Sequence, residues 1–359
     1  MLLILQCFAT AFTLTYLAIP SIIKIALAKN LVDDPGERSS HDVSTPSLGG
    51  IAIFAGVIFA IVMWAPTAVF SQVQYLLGAF IIIFLIGAKD DIAPVSPDKK
   101  LLAQVAAATI IVLKSNVQLH SFYGFLGVHN SLPAWVYVVV SIFTLLVLVN
   151  AFNLIDGING LAACIGILIC LVLGCWFFLV GQIVFTVVAF ASVGAILAFL
   201  RYNITPAQIF MGDTGSLLIG MICAILIVKF IDFNYNLPIG SKFRFEGGPA
   251  VAMGIMIIPI FDTLRVFITR IMRGTSPFKP DRRHIHHLLV DAGCSHMEAT
   301  GILVFVNSCF ILFVFSFHRM LNMHWIILMM GLAAGGLTYF LHKKVRAINL
   351  AKLQLEKSL

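Results

Sequence analysis

The sequence predicts an all-α, polytopic transmembrane helical bundle. Hydrophobic residues make up 60% of the chain and charged residues 11%, and mean hydropathy is +1.02. Apolar runs of roughly 18 residues or more recur along it, and a spanning helix needs about 20. With 30 phenylalanines, that content exceeds what a soluble core buries.

Taken in order, the runs predict about eleven spans, with ten as the alternative count because two are short. The first is expected at 2–28. Its start, Met1-Leu-Leu-Ile-Leu-Gln-Cys7, lacks the basic stretch and small-residue cleavage site of a signal peptide, so it reads as a retained span. The polar segment Lys29–Ser47 ends it, and 48–65 and 73–88 follow. Lys89–Lys100 separates these from 100–114, and Ser115–Leu132 separates that from 133–153. Asp156–Gly160 breaks the next apolar stretch, giving 160–180 and then 182–200. Arg201–Thr214 precedes 214–231, and Asp232–Gly248 precedes 249–271. After Met272–Thr300 come 300–317 and 324–342.

Lysine and arginine near span ends are retained on the cytoplasmic side. Most of the 23 basic residues fall on one face if the N-terminus is outside and the C-terminus cytoplasmic, leaving Lys114, Lys229, Lys242, Arg244 and Arg319 opposite. The net charge of +7 is therefore a topology signal. No arginine stripe interleaved with aromatics supports nucleic-acid binding. The seven cysteines form no CxxC pair and read as small hydrophobes. No repeat or linker divides the chain, so residues 1–359 are expected to form a single integral membrane domain. Its active-site loops at 29–47, 89–100, 156–160, 201–214 and 272–300 would share the cytoplasmic face.

The polar residues concentrate in those loops. Asp90 and Asp91 are adjacent carboxylates at a bilayer edge, which repel unless one holds its proton or a cation binds; a plain interfacial stop beside Lys89 is the other reading. Asn150, Asn153 and Asp156 recur every three residues and are expected to share a helical face, with interhelical hydrogen bonding as the alternative. Asp213 precedes a span, as an N-cap would. Together Asn153, Asp156, Asp90, Asp91 and Asp213 supply hard oxygen donors suited to Mg²⁺. In Asp281-Arg282-Arg283-His284-Ile285-His286-His287, neighbouring cations including Lys279 oppose a bound metal, so phosphate contact is preferred over zinc. Asp262 and Arg265, three residues apart, are expected to pair.

Five motifs in one order resemble the polyprenyl-phosphate N-acetylhexosamine-1-phosphate transferase superfamily: Pro46-Ser-Leu-Gly49-Gly50, Asp90-Asp91, Asn153-Leu-Ile-Asp156-Gly-Ile-Asn159-Gly160, Phe210-Met-Gly-Asp213-Thr-Gly-Ser216 and Arg283-His284-Ile-His286-His287. The histidine motif is similar to the branch that initiates O-antigen, common antigen and teichoic acid linkage units. One departure is Ser39 after Arg38, where that branch often has lysine; Arg38 and His41 remain candidates.

The resemblance implies transfer of an N-acetylhexosamine 1-phosphate, with GlcNAc preferred, from a UDP-sugar to undecaprenyl phosphate. UMP is released and the first lipid-linked intermediate of a cell-surface polysaccharide forms. By resemblance, Asp90 or Asp91 is the catalytic base and Asn153 and Asp213 hold Mg²⁺, with Mn²⁺ able to substitute. Lys100, Asp156, Asn159, Asn203, Phe210, Arg282, Arg283, His284, His286 and His287 would bind substrate, Phe210 by stacking on uracil. The expected partners are the UDP-N-acetylhexosamine and undecaprenyl phosphate, with a homodimer left open, and the expected location is the cytoplasmic inner membrane. The alternatives are the phospho-MurNAc-pentapeptide transferase of peptidoglycan synthesis and a transporter or flippase; the latter would place its polar residues near the midplane.

Overall fold

A computed structural model describes residues 1–33, 44–274 and 283–358, and is built almost wholly of helices. In chain order these are α1 (Leu2–Ala28), α2 (Gly49–Trp64), α3 (Phe70–Ile92), α4 (Pro97–Lys114), α5 (Ala134–Asn153), α6 (Leu161–Leu179), α7 (Ile183–Asn203) and α8 (Gly212–Asn236). After them come α9 (Gly248–Ile255), α10 (Ile257–Met272), α11 (Ile285–Asp291), α12 (His296–Phe317) and α13 (Met323–Ser358). The chain is a polytopic helical membrane protein.

Each of the eleven expected spans is helical, but the segments are not equivalent. Among the described residues eight helices are long and apolar enough to cross a bilayer, and the α9–α10 pair would make a ninth if it counts as one span. The 249–271 segment is broken at Met256, where the axis bends by 85°. Helix α2 is apolar but has 16 residues, while α4 carries Asp98, Lys99, Lys100 and Lys114 within its length. The last helix outruns its apolar segment, continuing through Lys343, Lys344 and Arg346, residues that favour helix without needing lipid. The sequence reading missed α11 and a two-residue antiparallel pair of β1 (Val32–Asp33) with β2 (Thr45–Pro46).

Helix α8 is the axis of the bundle. It is buried almost continuously from Thr214 to Phe230, as a helix apolar on every side must be. Around it pack α2, α3, α5, α6, α7 and α9, with α1 against α2 and α7. The first turn of α8 lies against α3 because Gly87 has no side chain: a Cβ there would meet Thr214 Cα at 2.6 Å. Asp91 follows Gly87 by four residues and so lies on the same face of α3.

Candidate active site

That close approach lets Asp91 cap α8 from another helix. Its Oδ1 accepts from Asp213 N at 2.7 Å, and its Oδ2 from Thr214 N at 3.0 Å and Thr214 Oγ1 at 2.5 Å. These are the unsatisfied amides of a first helical turn. Asp213, expected as a possible N-cap, makes no capping bond; the N-cap is Met211. Asp213 is thereby left to face the loops.

Its side-chain partners come from two helices, α4 and α5. Lys100 Nζ, in the first turn of α4, lies 2.6 Å from Asp213 Oδ2 and 2.5 Å from Asp90 Oδ2. Asn153, the last residue of α5, donates to Asp213 Oδ1 at 3.2 Å and to Ser216 Oγ at 2.8 Å. Asp90 Oδ1 accepts from Val95 N at 2.7 Å. Lys100, expected against phosphate, is thus held between two carboxylates.

Beside Asp213 opens a cavity of about 340 Å³. Of the sequence-predicted residues, Asn153, Asp156, Asn159, Asn203, Phe210, Asp213 and His287 line it. Asp33, Ser47, Met211 and His296 line it as well and were missed, although Ser47 lies within a quoted motif. His296 opens α12, which Ser295 and Glu298 start with a reciprocal capping box, a spacing readable from sequence. Phe210 is fixed by its backbone: its N–H donates to Pro46 O at 2.7 Å and its carbonyl accepts from Gly49 N at 3.0 Å.

Several expectations need correction. Asn150, Asn153 and Asp156 do not share a helical face, because α5 ends at Asn153 and Asp156 sits in the following turn. Asn150 instead pairs with Gln104 of α4, donating at 2.7 Å and accepting at 3.3 Å. Asn203 is buried and acts as a clamp: its Oδ1 accepts from Gly160 N at 2.7 Å and its Nδ2 donates to Ile209 O at 2.9 Å. Asn159 donates to Thr205 Oγ1 at 2.9 Å.

The histidines divide by role. Asp262, 1% exposed, accepts from Arg265 at 2.9 Å, as expected, and also holds His284 Nδ1 at 2.9 Å and Ile285 N at 3.0 Å. His284 is therefore an anchor for α11. His286 is 2% exposed and its ring occupies the space Gly157 leaves, where a Cβ would meet Nε2 at 2.2 Å. Burial pushes its imidazole down to about 3, so it is neutral at physiological pH. Only His287 of the three lines the cavity. Arg283 is exposed, and its carbonyl accepts from Arg265. Arg282, with Lys279, Arg38 and His41, lies outside the described residues.

The charge balance is unequal. Asp90 and Asp213 share Lys100, Asp91 is spent on the α8 terminus, and Asp156 stands near both Asp213 and Asp91. Burial raises the Asp156 carboxyl to about 8, and those two carboxylates add to the rise. Excess negative charge and an Asn153 Oδ1 that accepts no hydrogen bond among the described residues fit a hard divalent cation. No three of His, Cys, Asp or Glu converge as a metal-binding set among the described residues. Mg²⁺ typically takes one or two carboxylates and completes its shell with substrate phosphates.

Residues 73–231 match glycosyl transferase family 4. The chain is 32% identical over 299 residues to a probable undecaprenyl-phosphate N-acetylglucosaminyl 1-phosphate transferase of Bacillus subtilis, covering 83% of this chain and 80% of that protein. It is 31% identical over 283 residues to the undecaprenyl-phosphate alpha-N-acetylglucosaminyl 1-phosphate transferase of Yersinia pestis, covering 77% and 74%. Against the Escherichia coli K12 protein of the same description the identity is 30%, over 77% and 73%. A helical membrane protein with clustered carboxylates at one end thus falls in the class of membrane-embedded glycosyl-1-phosphate transferases. The chain belongs to glycosyl transferase family 4.

Proposed function

We propose that this enzyme transfers GlcNAc 1-phosphate from UDP-GlcNAc to undecaprenyl phosphate, giving undecaprenyl-pyrophosphoryl-GlcNAc and UMP. The observation that carries the reading is the convergence of Asp90, Lys100, Asn153 and Asp213 beside a cavity at one end of the bundle. The named relatives support the sugar and the acceptor. An oxygen of the lipid phosphate attacks the sugar-bearing β-phosphorus, and the bond from that phosphorus to the bridging oxygen breaks, with UMP leaving. Such chemistry needs positioning and charge neutralisation above all.

Asp90 is the better candidate for the base that accepts the proton of the lipid phosphate. Asp91 has both oxygens committed to the α8 terminus, so it positions Asp213. Asp213 and Asn153 would hold Mg²⁺, which supplies neutralisation of the pyrophosphate when bound. Phe210 offers a face for uracil, and a protonated Asp156 can donate to a uracil carbonyl. His287 and His296 reach the sugar-phosphate end. Val139, Phe143 and Val147 form an exposed apolar stripe on α5, and α10, which packs against α5, leaves Leu264, Ile268 and Ile271 exposed. These faces suit a prenyl chain whose phosphate reaches Asp90.

This end of the bundle would face the cytoplasm, where UDP-sugars are made, placing the protein as a single domain in the inner membrane. The deciding experiment is release of radiolabelled UMP from defined UDP-sugars by purified protein with undecaprenyl phosphate and Mg²⁺. Release from UDP-GlcNAc, with the label in the sugar appearing in lipid, supports the proposal. Release that needs a UDP-MurNAc-pentapeptide, or none from any UDP-sugar, overturns it.

A further inference from the structure

A second cavity, of about 550 Å³, lies at the other end of α8. The α8 residues that line the two cavities, Asp213 in the first and Ile231, Asn234 and Tyr235 in the second, lie about 30 Å apart along the helix, and the catalytic residues take no part in the second. Its walls come from the loop between α4 and α5, the segment joining α8 to α9, and the turn between α12 and α13.

Side chains staple these three segments together. Asn234 grips Phe245 from both sides, donating to its carbonyl at 2.8 Å and accepting from its N–H at 2.7 Å. His318 Nδ1 accepts from Glu246 N at 3.0 Å, and His324 Nε2 accepts from Leu126 N at 3.1 Å. Tyr123 donates to Asp232 Oδ1 at 2.8 Å, and His120 Nδ1 lies 2.9 Å from that oxygen. Within the first wall Tyr123 and Leu126 hold φ of 52° and 54°, a region that side chains other than glycine's rarely adopt. Strained backbone of this kind persists where surrounding contacts over-determine it, often at ligand sites.

Arg244, His129 and His318 bring hydrogen-bond donors to the lining, which also includes the exposed Glu246. Arg244 is half-buried, lies 5.7 Å from the Tyr235 ring centroid and gives one hydrogen bond, to Leu237 O at 2.5 Å. No carboxylate among the described residues pairs with it. Asp232 is engaged with His120 and Tyr123, and Glu246 is exposed. His318 accepts through Nδ1, which leaves Nε2–H as a donor in the neutral ring. The His129 ring also lines the cavity and makes no side-chain hydrogen bond among the described residues. A guanidinium with spare donors, lying over an aromatic ring in a cavity that imidazoles also line, matches the planar demands of a phosphate. The volume suits a small polar ligand.

We propose that this cavity is a binding site for a phosphate ester, held by Arg244, His129 and His318 at the end of the bundle opposite the catalytic carboxylates. The same chemistry is offered by the headgroup of an anionic phospholipid and by a soluble ester, and two measurements separate them. Protein in phosphatidylcholine nanodiscs is titrated with sn-glycerol 1-phosphate while its unfolding temperature is followed. Protein from discs containing phosphatidylglycerol is examined by native mass spectrometry for retained lipid. A saturable temperature rise indicates the soluble ester, and a retained phosphatidylglycerol indicates the headgroup. In either case Arg244→Gln and His129→Ala should weaken binding about tenfold, as loss of one charge-assisted contact implies, while Asp213→Asn at the far end leaves it unchanged. Because Arg244 also supports Leu237, His129→Ala decides the matter if Arg244→Gln does not fold. Binding that survives intact in both variants, binding lost only in Asp213→Asn, or no binding of either probe overturns the proposal.

Discussion

Asp91→Ala should cost stability first and turnover through it. The substitution leaves Asp213 N, Thr214 N and Thr214 Oγ1 without the acceptor that holds them at 2.5–3.0 Å. Loss of a helix cap costs about 1 kcal/mol, and withdrawing a negative charge from a partly buried helix N-terminus adds up to about 1 kcal/mol. Water reaches part of this end of α8 and screens the charge, so the total expected is about 1 to 2 kcal/mol. Asp91→Asn should fare little better, since its amide nitrogen would confront a backbone N–H. In detergent, Asp91→Ala should unfold several degrees below wild type, and kcat should fall because Asp213 is no longer held. Asp90→Asn, which leaves the cap intact, should lower kcat with a smaller change in unfolding temperature. The assay pairs thermal unfolding with UMP release for both variants. An Asp91→Asn protein with wild-type stability and no turnover would refute the capping role and make Asp91 the reacting carboxylate.

Three further outcomes are expected. Asp213→Asn should insert and fold but lose nearly all activity, because the proposed Mg²⁺ site would lose its ligand charge; near wild-type turnover at saturating Mg²⁺ would sink the metal assignment. Cys294, in the turn between α11 and α12, should react with impermeant maleimide in inverted vesicles and be spared in intact cells, and the opposite pattern would invert the topology. His286 has a folded-state pKa of about 3, below the ordinary value near 6.5, so its stabilising contribution is complete above about pH 6.5 and is lost as pH falls toward 3. Unfolding temperature should therefore drop on acidification from pH 6.5 to 4.5, less steeply in His286→Gln; identical slopes would show that His286 is not buried as a neutral ring.

Much of the site was legible because its residues sit at the ends of apolar runs. Asn153, Phe210 and Asp213 each close or open a span, and hydropathy alone locates those ends. What the sequence could not show is which partner each polar group meets. Asn150 looks like Asn153 one turn away, yet Gln104 of α4 takes it, and nothing within α5 announces that. Asp156 keeps the three-residue spacing but falls beyond the helix, since Gly157 and Gly160 follow it closely. The bend at Met256 lay inside an apolar run with no polar break to mark it.

Asp91 and Asp262 play the same physical part. Asp91 caps α8 from α3, and Asp262 holds Ile285 N, at the start of α11, from α10. Both α8 and α11 carry residues that line the cavity, Asp213 and His287, and both begin without a side-chain cap of their own. A terminus near the bilayer that lacks a local cap and is only partly reached by water needs an acceptor from elsewhere, and a carboxylate on a neighbouring helix supplies it. It follows that the α8 terminus, which would otherwise attract a phosphate, already has its Asp213 and Thr214 amides engaged by Asp91. Neutralising the pyrophosphate of the proposed donor would then fall to cations, and among the described residues bonded to Asp213 only Lys100 carries positive charge. A divalent ion at Asp213 is the simplest way to offset the remainder.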